Sequence, residues 1–123
     1  MKQRLFVLVA ALALGGAALL AQTADMGGQW DLVYNPPSGH VNVTLYVTQQ
    51  GTSLRGNAET EGGEFPITGS MDAKSFTVSY TRPDGGQMVK IVLSGTIDGD
   101  NLTGTAKVAS QEPVPLEGNR TSH

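Results

Sequence analysis

Gly95-Thr96-Ile97-Asp98-Gly99-Asp100-Asn101-Leu102-Thr103-Gly104-Thr105 is the stretch whose pattern decides the fold. Two short extended runs flank Asp98, Gly99, Asp100 and Asn101, residues that bend a chain back on itself within a few positions. Ile97 and Leu102 lie on either side of the bend, where a hairpin brings two apolar side chains onto one face. A related stretch lies 26 residues upstream, Ile67-Thr-Gly-Ser-Met-Asp-Ala-Lys-Ser-Phe-Thr. It aligns without a gap, Gly69 with Gly95, Met71 with Ile97, Asp72 with Asp98 and Phe76 with Leu102. A looser copy runs from Gln49 to Asn57, with Gly51, Leu54 and Gly56 in the places of Gly99, Leu102 and Gly104. One hairpin is reused.

The rest of the chain extends the theme outward from these copies. Val41, Val43, Leu45 and Val47 alternate strictly with polar neighbours, the period of a half-buried antiparallel strand. Trp30, Leu32 and Tyr34 precede them, and Asn35-Pro36-Pro37-Ser38-Gly39 is the turn between. Leu54, Gly56 and Ala58 define a third strand, and Phe65, Ile67 and Gly69 a fourth after Gly62-Gly63. Phe76, Val78 and Tyr80 give a fifth; beyond Pro83-Asp84-Gly85-Gly86, Val89, Ile91, Leu93 and Ile97 give a sixth. Leu102, Gly104, Ala106 and Val108, then Val114, Leu116, Gly118 and Arg120, complete the inner faces. The expected fold is all-β, an eight-stranded antiparallel up-and-down meander closing into a small barrel, because closure removes exposed edges. A two-sheet β-sandwich is the alternative. Inward Gly56 and Gly104 would let the sheet coil tightly.

Lys2 and Arg4 precede an apolar run over 5–21 that ends in small residues, the layout of a secretory signal peptide. Cleavage after Ala21 is expected, with Ala24 as the alternative, leaving a flexible lead-in over 22–28 and one domain over 29–121. The localisation expected is secreted or periplasmic, in a bacterium, with no membrane attachment after cleavage. Loss of Lys2 and Arg4 leaves 6 basic against 11 acidic residues, a formal charge of −5. Such a surface is wrong for nucleic acid. Cys is absent, so burial alone must hold the domain, which is expected to be monomeric.

Gly28-Gln29-Trp30 resembles the Gly-x-Trp start of the calycin barrels, which include lipocalins, fatty-acid-binding proteins and avidins. The resemblance implies a basic residue on the last strand packed across the tryptophan, and Arg120 is in phase for it. Trp30 and Arg120 would then close the barrel structurally. The turn Asp98-Gly99-Asp100-Asn101-Leu102-Thr103-Gly104 is similar to those of a small lipocalin-like barrel domain of unknown function in secreted bacterial proteins. That likeness covers nearly all of the mature chain. Avidin-like biotin sites use several tryptophans, however, and Trp30 is the only one here. Disulfides usual in secreted lipocalins are impossible, so none of those ligands carries over.

No residue set suggests catalysis or a metal. His40 has no second His or Cys except His123; Asp98 and Asp100 lack the further oxygens of a calcium loop. Glu59, Glu61 and Glu64 read as a solvated tip, and no Ser sits in a nucleophile elbow. No cofactor is implied. The function expected is non-enzymatic, binding a small apolar ligand or a protein partner, with Tyr34, Phe65, Phe76 and Tyr80 lining a cavity at one barrel end. The alternative is a periplasmic protease-inhibitor-like interaction protein that would use 22–28 to reach a protease. Outward Tyr46, Met88 and Val92 would make a protein-contact patch if they converge.

Overall fold

A computed structural model describes residues 23–37 and 39–123; the signal segment expected over 1–21 lies outside them. The described chain forms eight strands: β1 (Gly28–Tyr34), β2 (Val41–Gln50), β3 (Ser53–Thr60), β4 (Gly63–Asp72), β5 (Ser75–Asp84), β6 (Gln87–Asp98), β7 (Asn101–Val108) and β8 (Val114–Ser122). Each pairs antiparallel with the next, and β8 returns to β1, closing the barrel. The sandwich alternative is thereby excluded. Period-two alternation puts one face of every strand inside. Leu32, Val43, Leu45, Ile67, Val78, Ile91, Leu93 and Leu116 are buried there along the barrel axis.

The three sequence copies form one hairpin geometry. Gln50 pairs with Ser53, Asp72 with Ser75 and Asp98 with Asn101, so each turn has two central residues. The first of them has positive φ every time: 62° at Gly51, 55° at Ala73 and 62° at Gly99. Gly or a small residue is needed at that point to match the twist of the strands. The carbonyl of the second central residue then accepts a backbone N–H from the next hairpin. Met71 donates to Thr52 at 2.8 Å, Ile97 to Lys74 at 3.0 Å, and Arg120 to Asp100 at 2.8 Å. The repeat is therefore a ring of interlocked turns around one end of the barrel. Arg120 occupies in that ring the place that Met71 and Ile97 hold in the other two links.

Gly95 and Gly104 face each other across β6 and β7. A Cβ on Gly95 would strike the Thr103 carbonyl, and one on Gly104 the Ser94 carbonyl. The backbones approach so closely because a barrel this narrow must bend sharply, and only glycine leaves room.

The meander sorts the connections. The β2–β3, β4–β5 and β6–β7 turns share one end with both termini; the β1–β2, β3–β4, β5–β6 and β7–β8 connections share the other. β2 and β6 stand four strands apart in the closed ring, on opposite sides of the barrel. Tyr46 therefore cannot meet Met88 and Val92, and the apolar patch they would have formed does not exist.

Ala73 is the one copy in which the positive-φ position carries a side chain. An L-residue there costs roughly 1–2 kcal/mol, part of which glycine gives back through its looser unfolded chain. Ala73→Gly is expected to raise stability by about 0.5–1 kcal/mol. Urea unfolding should show a higher midpoint at unchanged m-value; an unchanged or lower midpoint contradicts the shared geometry.

Candidate functional site

The two ends of the barrel differ, and the difference locates the site. At the end that carries the termini, residues 24–27 run across the opening before β1 begins. Read from the sequence as part of a flexible lead-in, they are tied down. Ala24 N–H donates to the Ala73 carbonyl at 2.9 Å, and Met26 N–H to Gln49 Oε1 at 2.7 Å. Gln49 Nε2 donates in turn to the Ala24 carbonyl at 3.0 Å and to the Gly51 carbonyl at 2.9 Å. Gln49 explains why the first hairpin copy is the looser one: it stands where the other copies carry Met71 and Ile97, and its amide binds the incoming chain. The Met26 side chain is fully buried and plugs the opening with Trp30, Leu54, Met71, Phe76, Ile97 and Leu102.

Arg120 and Trp30 complete the seal. They are paired across β1 and β8, and the guanidinium carbon lies 4.7 Å from the indole centroid. Arg120 Nε donates to Asp100 Oδ1 at 2.9 Å, Nη1 to the carbonyls of Asp25 and Gly27 at 2.9 and 2.8 Å, and Nη2 to the Gly99 carbonyl at 2.9 Å. Trp30 Nε1 donates to the Met26 carbonyl at 2.9 Å. The Arg120 side chain is only 6% exposed, and its burial is compensated because its donors meet oxygens and its flat face meets a π-system. Asp100, read as a turn former, is also the counter-ion of this cation.

The opposite end is open. A cavity of about 170 Å³ sits among Tyr34, Phe65, Tyr80, His40, Asn42, Thr60, Glu61 and Arg82. Tyr34 and Tyr80 are its most buried walls, at 2% and 4% exposed, and Phe65 is half-buried. The Phe65 and Tyr80 rings stack with centroids 6.1 Å apart and planes 10° from parallel. The cavity thus gathers three of the four side chains expected to line it. Phe76 is the exception: it pairs with Met71 and Gly95 and is buried toward the sealed end. Alternation reports which face a residue is on; it does not report its height along the barrel axis.

Polar residues at the opening, Arg82 and His40 among them, were not singled out by sequence as wall residues. Arg82 follows Tyr80 by two positions on β5 and is half-buried beside the cavity. His40, just before β2, also borders it, with Nδ1 2.8 Å from Asn35 Oδ1. Sequence offered one signal for Arg82: its period-two phase with Phe76, Val78 and Tyr80 puts a cation on an inner face near a strand end.

Tyr34 and Tyr80 border the same cavity, and each phenol acts on the other's titration. Burial raises the Tyr34 pKa above its ordinary value, opposed by the neighbouring Tyr80 hydroxyl and the Arg82 charge. Tyr80 is pushed well above the phenol range, by burial first and then by Tyr34, again with Arg82 opposing. Both stay protonated at neutral pH. A protonated phenol can donate its O–H as well as accept. Among the described residues, no group of three or more His, Cys, Asp or Glu is placed to hold a metal ion. The chain matches no protein-family model and no curated protein.

Arg120→Leu removes the contact over Trp30 and four donated hydrogen bonds at once, and stability is expected to fall by about 2–4 kcal/mol. Trp30 is the only tryptophan and is fully buried, so its fluorescence reports the seal directly. The variant should emit further to the red and be quenched more by acrylamide under conditions where it remains folded. Unchanged emission and unchanged quenching would show that Arg120 does not hold the end shut.

Proposed function

We propose that the protein is a non-catalytic binding barrel, exported to the bacterial periplasm or beyond, whose open end takes up one small apolar group. That group belongs to a free ligand or to a side chain of a protein partner. One observation carries the reading: the end with the termini is plugged, while the other keeps a cavity walled by Tyr34, Phe65 and Tyr80. Export rests on Lys2, Arg4 and the apolar run over 5–21.

Size restricts the occupant. Drug-sized ligands occupy pockets of roughly 300–1,000 Å³, whereas a cavity near 150 Å³ admits benzene. At about 170 Å³ the cavity suits a single ring or a short branched chain. The barrel axis below it is filled by Leu32, Val43, Ile67, Val78 and Ile91, which favours a ligand held at the mouth over one enclosed as in the larger calycin barrels. The lipocalin-like relationship is part of the same proposal. It is supported by the closed eight-stranded meander and by the Trp30–Arg120 contact. Residues 24–27 are engaged at the plugged end, so nothing favours their use as an arm that reaches a protease.

Titration with toluene followed by amide and aromatic NMR is the direct test. Shifts are expected at Tyr34, His40, Phe65, Tyr80 and Arg82, saturating together, with Trp30 and Leu102 unmoved. Saturable shifts at the Trp30 end alone, or none anywhere, would remove the reading.

A further inference from the structure

The cavity sets the rings of Tyr34, Phe65 and Tyr80 beside a cation and polar groups. Arg82 lines it, and the ion pairs among the described residues are Arg120 with Asp100 and His123 with Asp100, so Arg82 has no carboxylate partner there. Tyr34 and Tyr80 line the same cavity, and their phenols keep protons that can be donated. Phe65 and Tyr80, stacked on each other, supply aromatic wall to the cavity. Resting on the binding role proposed above, we infer that the occupant is a ring bearing a carboxylate, its ring against Phe65 and Tyr80 and its oxygens on Arg82 and the tyrosine hydroxyls.

Each element of the site is needed by that chemistry. A planar guanidinium presents parallel N–H donors that match the two oxygens of a carboxylate, and charge-assisted bonds of this kind are about twice as strong as neutral ones. A phenol that keeps its proton donates to an anion instead of repelling it, and burial of Tyr34 and Tyr80 holds both in that form. Glu61 also borders the opening, but it is exposed, and the formal charge that acts on both phenols is that of Arg82. An amine would meet the reverse arrangement: a cation beside it and no buried acceptor carboxylate. A neutral ring would fill the walls and leave Arg82 with water. The same ring-and-carboxylate pair occurs in a free aromatic acid and in the C-terminal phenylalanine of a partner chain.

Benzoate, toluene and benzylamine titrated separately into the protein at neutral pH, read by NMR at Tyr80 and Arg82, separate the possibilities. Benzoate is expected to bind about tenfold more tightly than either of the others. Arg82→Gln should bring the ratio of benzoate to toluene affinity down to about one, and Arg82→Lys should restore part of it. N-acetyl-phenylalanine compared with benzoate then identifies the source: tighter binding of the former marks a chain terminus, of the latter a free acid. Equal affinity for benzoate and toluene would overturn the carboxylate inference and leave the binding cavity standing. If none of the three binds, both fall together.

Discussion

The contact between the Arg120 guanidinium and the Trp30 indole is where the barrel becomes a closed object. β1 and β8 are separated by almost the whole described chain, so their pairing carries the largest loop-closure cost in the fold. At that seam Arg120 is bonded to Asp25, Gly27, Gly99 and Asp100 and lies 4.7 Å from the Trp30 centroid. One side chain thus joins the incoming segment, the last strand and the β6–β7 turn. With no cysteine in the sequence, no covalent bridge can share that role.

Sealing one end determines what the other can be. Met26, Gln49 and the three interlocked turns close the terminal end, so the cavity at the other end opens past Tyr34, Phe65 and Tyr80. Strand count sets the rest. Eight strands enclose a space that side chains can fill, and here they do fill the middle, leaving a cavity at the mouth. The two ends differ in their side chains: Met26, Trp30 and Phe76 pack into the closed end, and Tyr34, Phe65 and Tyr80 with Arg82 stand at the open one.

The fold was legible because its signals are local. Alternation at Val41, Val43, Leu45 and Val47, and the recurring bend at Gly51, Ala73 and Gly99, report strand and turn from a few neighbouring residues. Even so, the role of Asp100 as partner to Arg120 depends on the pairing of β7 with β8, which no local pattern contains. Gln49 weakened the first repeat for a reason visible only once residues 24–26 cross it. The candidate site was legible in part. Face assignment found Tyr34, Phe65 and Tyr80, whereas height along the axis separates Phe76 from them and depends on register. His40 reads in sequence as a lone histidine; its place at the cavity comes from the loop before β2 and the β3–β4 turn bordering the same opening. Tyr46 and Met88 share exposure but not a side of the barrel.

A crystal of the protein pressurised with xenon measures the central claim most directly, because xenon enters apolar space that water leaves unfilled. The expected result is one ordered xenon among Tyr34, Phe65 and Tyr80 at the open end. Xenon lodged beside Trp30 and Leu45, or no ordered xenon at all, would contradict a barrel that is filled, sealed at the Arg120 end and open only at the other.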